Sequence, residues 1–257
     1  MLTPSIIRRK KRVLVGTPHS DKKNYCIEEY IARVKTLTYP YYDVLIVDNS
    51  ETRKNYKRFI KEGFKAIHIK PKNHSIQKVL AESHEAIRKY AITNNYDYLF
   101  HLESDLVPPP DVIERLMIHN LEIVSGMYMI NFGYESHLMA QRLETFGDIR
   151  ETMSLKEGSE LVSINGKLMK TFHCGLGCVL MHKNILNEFE FRHEKGLVMH
   201  PDGFFAIDTD ALGIQKYIDT SILCEHNNSD WTQLLLRKDI NMEGISVSSN
   251  GVVMLKA

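Results

Sequence analysis

The chain has 257 residues and a mass of 29.7 kDa, a size that favours one domain or one domain with an appendage. Hydrophobic residues make up 43% and charged residues 25% of the sequence, which is ordinary for a soluble globular protein. The formal net charge of +1 gives no push toward nucleic acid, membranes or acidic partners. No apolar run approaches the roughly 18 residues that span a bilayer. Residues 1–7 lack a signal-peptide pattern, so we expect a cytoplasmic protein without membrane contact.

In the first half of the chain, short apolar runs alternate with segments of helical spacing. Strands are predicted over 12–17, 42–47, 66–69, 96–105 and 122–130, and helices over 25–37, 56–62, 75–92 and 111–119. Ser75 is expected to cap the third of these helices. Strands that alternate with helices predict a doubly wound α/β fold with a mostly parallel central sheet.

The second half has a different pattern. Residues 131–170 are polar, contain glycine and predict an irregular region, which at this length is more often functional than filler. Strands are predicted over 173–181 and 216–224, with a helix over 204–212 between them. Residues 245–255 predict a C-terminal hairpin with its turn at Asn250 and Gly251.

The four cysteines form no C-x-x-C pair, so the sequence indicates no disulfide framework. Buried, reduced thiols in a cytosolic protein are the expected state. The run from His173 to His182 contains Cys174 and Cys178, and it leaves a zinc site open as the alternative.

The stretch from Tyr96 to Asp105 predicts a buried strand that ends in two carboxylates, Glu103 and Asp105. Alternate side chains of a strand share a face, so the two acids are expected to point the same way. They repel each other unless a positive charge lies between them. The prolines at 108–110 stop the strand at the edge where ligands bind in open α/β sheets. A hard divalent cation that bridges to a phosphate is the expected occupant.

Together these motifs resemble the GT-A fold glycosyltransferases, especially the family 2-like inverting enzymes, from about Val13 to His226. The resemblance implies one GT-A domain over 1–257, with a nucleotide-sugar-binding half (1–130) and an acceptor-binding, catalytic half (131–257). It also implies Mn²⁺ or Mg²⁺ held by a D-x-D-type motif, whose place is taken here by Glu103-Ser104-Asp105. Asp105 is then a metal ligand and Ser104 contacts the donor. Glu103 has a supporting role toward the metal or the donor.

The resemblance also assigns the donor side of the site. The exit of the first strand, Thr17-Pro18-His19, matches the loop that cradles the nucleotide, and Asp48 matches the acid that contacts its base. A carboxylate accepts a hydrogen bond from an imide N–H, which uracil and thymine offer, so a UDP-sugar is the expected donor. A helix N-cap or an Asx turn is the alternative role of Asp48.

The late segment carries the implied catalytic residues. Asp202 matches the base that deprotonates the acceptor, and His226 matches a third metal ligand. Asp208 lies near enough in sequence to be the alternative base. General-base action gives inversion at the anomeric carbon, whereas direct attack by Asp202 would give retention. Inversion is favoured by the resemblance alone.

Two other functions stay open. A nucleotidyltransferase has a similar sheet, but its glycine-rich, basic first loop has no counterpart at Gly16-Thr17-Pro18-His19. A non-catalytic module that binds sugar nucleotides or glycans would need no acid–histidine set. The acceptor, whether glycan, protein or modified DNA base, is open, and so is oligomerisation. The small size is compatible with bacterial or viral enzymes that modify such acceptors, so the expected location is the cytoplasm of a bacterium or of a virus-infected host.

Overall fold

The computed structural model describes residues 10–72, 74–132, 135–146, 149–156, 166–227, 245–247 and 253–255. The first half contains β1 (Val13–His19), a 3₁₀ segment (Asp21–Cys26), α1 (Ile27–Val34), β2 (Tyr42–Asp48), α2 (Lys54–Lys61), β3 (Lys65–His68), α3 (Ile76–Thr93), β4 (Tyr98–Leu102), β5 (Leu106–Val107), α4 (Val112–Met117) and β6 (Ile123–Met127). The second half contains β7 (Met129–Phe132), β8 (Glu135–Phe146), β9 (Ile149–Lys156), β10 (Leu168–Thr171), β11 (Cys178–His182), a 3₁₀ turn (Lys183–Ile185), α5 (Pro201–Ala211), β12 (Lys216–Leu223), β13 (Glu225–His226), β14 (Ile245–Val247) and β15 (Val253–Leu255).

Eight strands form the central sheet, in the order β10-β12-β6-β11-β4-β1-β2-β3. β1 pairs in parallel with β2 and β4, β2 with β3, and β12 with β6. β11 runs antiparallel to both β4 and β6, and β10 runs antiparallel to β12. The prediction of a mostly parallel α/β sheet is confirmed.

Helices cover both faces of this sheet. On one face, Tyr30 of α1, Phe59 of α2 and Leu116 of α4 belong to one buried cluster with Phe100 of β4. On the other face, α3 and α5 pack on a second cluster of buried apolar side chains. Burying one large apolar side chain contributes about 1.5–3 kcal/mol, so the two clusters fix both helical layers. The fold is therefore doubly wound, as the sequence predicts.

One glycine brings the α3 layer close to the sheet. A Cβ atom at Gly16 of β1 would lie 2.2 Å from the Cγ2 of Ile87, which is too close for any side chain. Ser75 caps α3 as predicted, since its hydroxyl accepts a hydrogen bond from the Lys78 N–H. Among the described residues, none of the helices combines the length and the apolar character needed to cross a membrane.

The region expected to be irregular contains a second sheet. β7, β8 and β9 form three antiparallel strands in the described part of 131–170. The prediction of an irregular region is wrong there. Leu138 and Ala140 of β8 are buried against Ile218 of β12, which attaches this sheet to the core. Polar and apolar residues are mixed along β8 and β9, so their sequences resembled a loop.

Two further differences concern strand ends. β4 ends at Leu102, so the acids of Glu103-Ser104-Asp105 lie in a turn closed by the Leu106 N–H and the Glu103 carbonyl, 3.1 Å apart. The argument from strand alternation was therefore wrong, although the two acids do meet. At the far end of the chain, β14 and β15 pair antiparallel and confirm the predicted hairpin. Its turn at 250–251 lies outside the described residues.

Candidate active site

A cleft of about 370 Å³ opens at the carboxyl ends of β1 and β2. The first turn of α3 forms one wall, and the turn after β4 forms another. Its lining includes Pro18, His19, Asn49, Ile76, Glu103 and His200. Ligands bind at this edge in open α/β sheets, so the cleft is where the sequence placed the donor.

An ammonium group lies between the two carboxylates of the turn after β4. Lys23 Nζ is 2.9 Å from Asp105 Oδ1 and 3.3 Å from Glu103 Oε2. The Asp105 side chain is 1% exposed. Burial raises the pKa of Asp105, but Lys23 and then His226 outweigh it and lower the pKa to about 2. Burial lowers the pKa of Lys23, and the two acids outweigh that and raise it. The positive charge expected between the acids is therefore supplied by the protein itself.

His226 reaches this turn through a two-residue strand pair. β13 pairs antiparallel with β5, which sets His226 opposite Leu106. The Asn227 N–H also donates to the Asp105 carbonyl at 2.8 Å. His226 Nε2 lies 3.5 Å from Asp105 Oδ2, and Nδ1 lies 2.7 Å from the Met129 carbonyl, to which it donates. Burial lowers the pKa of His226, whereas Asp105 outweighs it and raises the pKa. The structure brings Asp105 and His226 together, as predicted.

The donor types at this point suit Mn²⁺ or Mg²⁺. A carboxylate oxygen of Asp105 and Nε2 of His226 converge, and the hydrogen bond from Nδ1 to Met129 orients the ring as in many metal sites. Within the described ranges, no three His, Cys, Asp or Glu side chains are grouped to hold a metal ion. In this structure the ammonium of Lys23, not a metal ion, lies between the two carboxylates.

The loop after β1 is arranged differently from the prediction. Pro18 and His19 line the cleft, as expected for residues that cradle a nucleotide. Thr17 is 0% exposed, and its hydroxyl contacts that of Tyr30 in α1. β1 continues to His19, and strand alternation turns Thr17 toward the helical layer. Donor contact by Thr17 stays a prediction, and in this conformation its side chain faces Tyr30 rather than the cleft.

The side chain of Ser104 contacts the ring of His19. Its hydroxyl lies 3.0 Å from His19 Nδ1, and His19 Nε2 lies 3.2 Å from Asn24 Oδ1. Burial lowers the pKa of His19 to about 4, so the ring is neutral at pH 7. Nε2–H then donates to Asn24, and Nδ1 accepts from Ser104. Ser104 is buried and positions His19, whereas its donor contact stays a prediction.

Asp48 has the local role that the sequence offered as an alternative. Its Oδ1 accepts from the N–H and hydroxyl of Ser50 at 3.1 and 2.6 Å, which forms an Asx turn. Its Oδ2 accepts from the Tyr56 N–H at 2.9 Å. Asp48 is 0% exposed, and its neighbour Asn49 lines the cleft instead. Contact between Asp48 and a base stays a prediction.

Asp202 lies at the first turn of α5, where Pro201 occupies the first helical position. Its Oδ1 accepts from the Gly203 N–H at 2.9 Å, and its Oδ2 lies 3.4 Å from His173 Nε2. Burial raises the pKa of Asp202, but His173, His200 and the Gly203 N–H outweigh it and lower the pKa to about 2. With this pKa the carboxylate is ionised at pH 7. The side chain is 24% exposed, so a ligand in the solvent can still reach it.

Asp208 is held elsewhere. Arg192 binds it with two parallel hydrogen bonds, from Nε to Oδ2 at 2.7 Å and from Nη2 to Oδ1 at 2.9 Å. A bidentate guanidinium pair takes both carboxylate oxygens. Both carboxylate oxygens of Asp208 are therefore bound by Arg192, whereas the Asp202 side chain keeps an exposed part.

Tyr128 joins the two acid centres. Its ring packs edge-on against His226 with centroids 5.6 Å apart, and its hydroxyl accepts from the Gly177 N–H at 3.2 Å. Burial raises the pKa of Tyr128 well above its ordinary value, and the charges of Glu103 and then Asp202 raise it further. The phenol thus packs on His226 and is near enough to Glu103 and Asp202 for both charges to raise its pKa.

The glycines before β11 make room for this ring. A Cβ at Gly177 would lie 2.7 Å from Cζ of Tyr128, and Gly175 has a φ of +60°. These constraints keep 173–177 out of the strand, which begins at Cys178 rather than at His173. The segment lies beside the turn after β4, because the Glu103 N–H donates to the Gly177 carbonyl at 2.8 Å.

Sequence reasoning missed the roles of Lys23 and His173. Lys23 stands in an ordinary charged run, and only its fold position brings it to the acids. His173 was noted for a zinc alternative, but it pairs with Asp202, and Cys174 and Cys178 are buried free thiols. The one sequence signal for a special role of His173 was its place just before Gly175 and Gly177.

No protein-family profile matches the chain, and no curated protein matches it in sequence. Solved structures do match. GalNAc-T7, solved with UDP, GalNAc and Mn²⁺, is 9% identical, with a TM-score of 0.57 over 85% of this chain and 44% of its own. This chain therefore spans less than half the length of GalNAc-T7.

A197 from STIV is 15% identical over 96% of this chain and 94% of its own, with a TM-score of 0.46. At these identities, similarity to solved structures concerns the fold alone. The likeness to GalNAc-T7 agrees with the eight-stranded, mostly parallel sheet flanked by helices. The chain thus has an α/β fold of the Rossmann-like GT-A type.

Proposed function

We propose that the protein is a glycosyltransferase that moves a sugar from a nucleotide-sugar donor, with UDP as the expected nucleotide, to an acceptor hydroxyl with inversion. One observation carries the proposal. The cleft at the carboxyl ends of the parallel strands is lined by Glu103 and His200. Two residues further along the chain from these lie Asp105, which is paired with His226, and the partly exposed Asp202. A GT-A-type fold with this arrangement supports sugar transfer over other reactions.

On the donor side, Asp105 and His226 would hold Mn²⁺ or Mg²⁺, with Glu103 in support. When bound, such a cation stabilises the negative charge that develops on the departing diphosphate. Pro18 and His19 would wall the nucleotide, and Ser104 would keep the His19 ring in place. The structure of GalNAc-T7 with UDP and Mn²⁺ supports this class of donor and metal.

On the acceptor side, Asp202 would accept the proton of the attacking hydroxyl. The new bond joins the acceptor oxygen to the anomeric carbon, and the bond from that carbon to the diphosphate oxygen breaks on the opposite face. The proton passes to Asp202, and the electron pair leaves with the nucleoside diphosphate. A carboxylate ionised at pH 7 suits this step, because the acceptor hydroxyl becomes acidic as its oxygen bonds to carbon.

A panel of nucleotide sugars with Mn²⁺ tests the proposal. UDP-sugars are expected to raise the melting temperature and to be hydrolysed slowly without acceptor, and Asp105→Ala should lose the metal-dependent part of this binding. Glycan, protein and modified-DNA acceptors then separate the open acceptor classes. Absence of binding by every donor, with or without metal, would contradict the proposal.

The same panel separates the two alternatives. A nucleotidyltransferase would release pyrophosphate from a nucleoside triphosphate and a sugar phosphate. A non-catalytic module would be stabilised by donor or glycan without turnover. A glycosyltransferase releases the nucleoside diphosphate, which a coupled assay measures directly.

A further inference from the structure

We propose that Lys23 is a built-in cation that competes with a divalent metal for the carboxylates of Glu103 and Asp105. The metal gains both carboxylates only when the ammonium moves away. This inference rests on the proposed function, because glycosyl transfer is the reason to expect a metal at these carboxylates. Its test needs neither donor nor acceptor.

The contacts of Lys23 are those of a cation in a site. Its Nζ lies within hydrogen-bond distance of both acids, 2.9 Å from Asp105 Oδ1 and 3.3 Å from Glu103 Oε2, and its side chain is 16% exposed. A divalent ion bound to the same oxygens would lie next to the ammonium. Two cations at that separation repel strongly where water is largely excluded. Only one of them can hold the pair at a time.

The two oxygens of Asp105 are divided between two partners. Oδ1 faces Lys23, and Oδ2 faces His226 Nε2 at 3.5 Å. A metal that approaches from the His226 side finds one carboxylate oxygen and one imidazole nitrogen. The second carboxylate, Glu103, is available only after Lys23 has released it. Weak metal binding by the free protein follows from this division.

Lys23 can leave without disturbing the sheet. It belongs to the 3₁₀ segment Asp21–Cys26, where its φ of −102° and ψ of 18° depart from helical values. It also lines the cleft at the ends of β1 and β2. Its flexible side chain can swing from the acids into the cleft, where the proposed function places an anionic diphosphate. By linkage, a diphosphate that attracts the ammonium strengthens metal binding, and metal strengthens diphosphate binding.

Metal titration of two lysine variants tests the competition. Lys23→Met should bind Mn²⁺, added alone and followed by electron paramagnetic resonance, at least about tenfold more tightly than the unchanged protein. Lys22→Met is the matched control, because Lys22 is its exposed neighbour in the same segment and also lines the cleft. The control should change Mn²⁺ affinity by less than about twofold. Equal affinities of Lys23→Met and the unchanged protein, or an equal gain in the control, would overturn the proposal.

A second measurement uses the unchanged protein, in case Lys23→Met does not fold. Acetylation of individual lysines is followed by mass spectrometry with and without Mn²⁺. Lys23 should react slowly without metal and several-fold faster with it, whereas Lys22 should react at one rate throughout. A Lys23 rate that ignores Mn²⁺ would overturn the proposal. Release of Lys23 by Mn²⁺ in a protein that transfers no sugar would instead contradict the proposed function alone.

Discussion

Asp105 after β4 and Asp202 at the start of α5 have the same low pKa, about 2, in opposite settings. Asp105 is 1% exposed and is compensated by the ammonium of Lys23 and by the imidazole of His226. Asp202 is 24% exposed and is compensated by His173 and a backbone N–H. In both cases burial alone would raise the pKa, and the neighbours reverse it.

The difference separates holding a cation from meeting a substrate. An acid enclosed by cationic side chains can exchange one cation for another, but it has no free face for an uncharged acceptor. An acid at the first turn of a helix is stabilised by N–H groups behind it and keeps a face toward solvent. The two settings therefore suit the metal role of Asp105 and the base role of Asp202.

The largest effect is expected on catalysis at Asp202. Asp202→Asn removes the proton acceptor and should lower transfer by about 10²–10⁴-fold, with donor binding unchanged. Initial rates and donor affinity, measured on the same preparation, check this. Asp208→Asn is the companion variant and should keep most of the transfer activity, because Asp208 is paired with Arg192. The opposite pattern would give the base role to Asp208.

The next largest effect is the loss of stability expected from a change at Asp105. Asp105→Asn leaves Lys23 and His226 without their buried counter-charge and should lower the free energy of unfolding by about 3 kcal/mol. Urea denaturation at pH 7 measures this loss. Glu28→Gln, which removes an exposed ion pair with Arg58, should change it by less than about 0.5 kcal/mol. Equal losses in the two variants would contradict the enclosed setting of Asp105.

Acid titration tests whether the two acids contribute alike. Their folded pKa values lie below the ordinary 3.8, so each adds about 2 kcal/mol of stability above pH 4, which is lost as the pH falls toward 2. An earlier loss is expected from His19 and His84, because burial lowers their pKa values from 6.5 to about 4 and about 3. The unfolded state binds these protons first, so each histidine should cost about 2 kcal/mol between pH 6.5 and 5. Denaturation series at pH 7, 5 and 3 follow both stages, and equal stabilities at pH 7 and 5 would exclude the first.

The smallest effect concerns the partner of Asp202. His173→Gln should raise the pKa of Asp202 by about one unit, because the imidazole lowers it in the unchanged protein. Carbon NMR of the Asp202 carboxyl, or the acid limb of the pH–rate profile, measures the shift. His119→Gln is the control, since it breaks the His–Asp pair with Asp219 of β12. It should leave the pKa of Asp202 unchanged.

The sequence predicted the strands and helices of the sheet well, because their periodicity and caps are local. It also brought Asp105 and His226 together, through a resemblance rather than a spacing rule. Lys23 was missed because its contact with the acids depends on how the segment after β1 folds back, which no local pattern encodes. The β8 strand was missed because its sequence, Glu135–Phe146, mixes polar and apolar residues without a clear alternation. The burial of Thr17 was not foreseen because β1 runs two residues further than expected.

The β5–β13 pair joins residues more than a hundred positions apart, yet it consists of only two residues on each strand. Closing so long a loop costs chain entropy, which a pair this short repays only in part. The Asp105–His226 pair therefore depends on the rest of the sheet, and its imidazole signal would report that β13 has docked. A chain that has built its sheet but not docked β13 would look native by far-UV circular dichroism and still have no site.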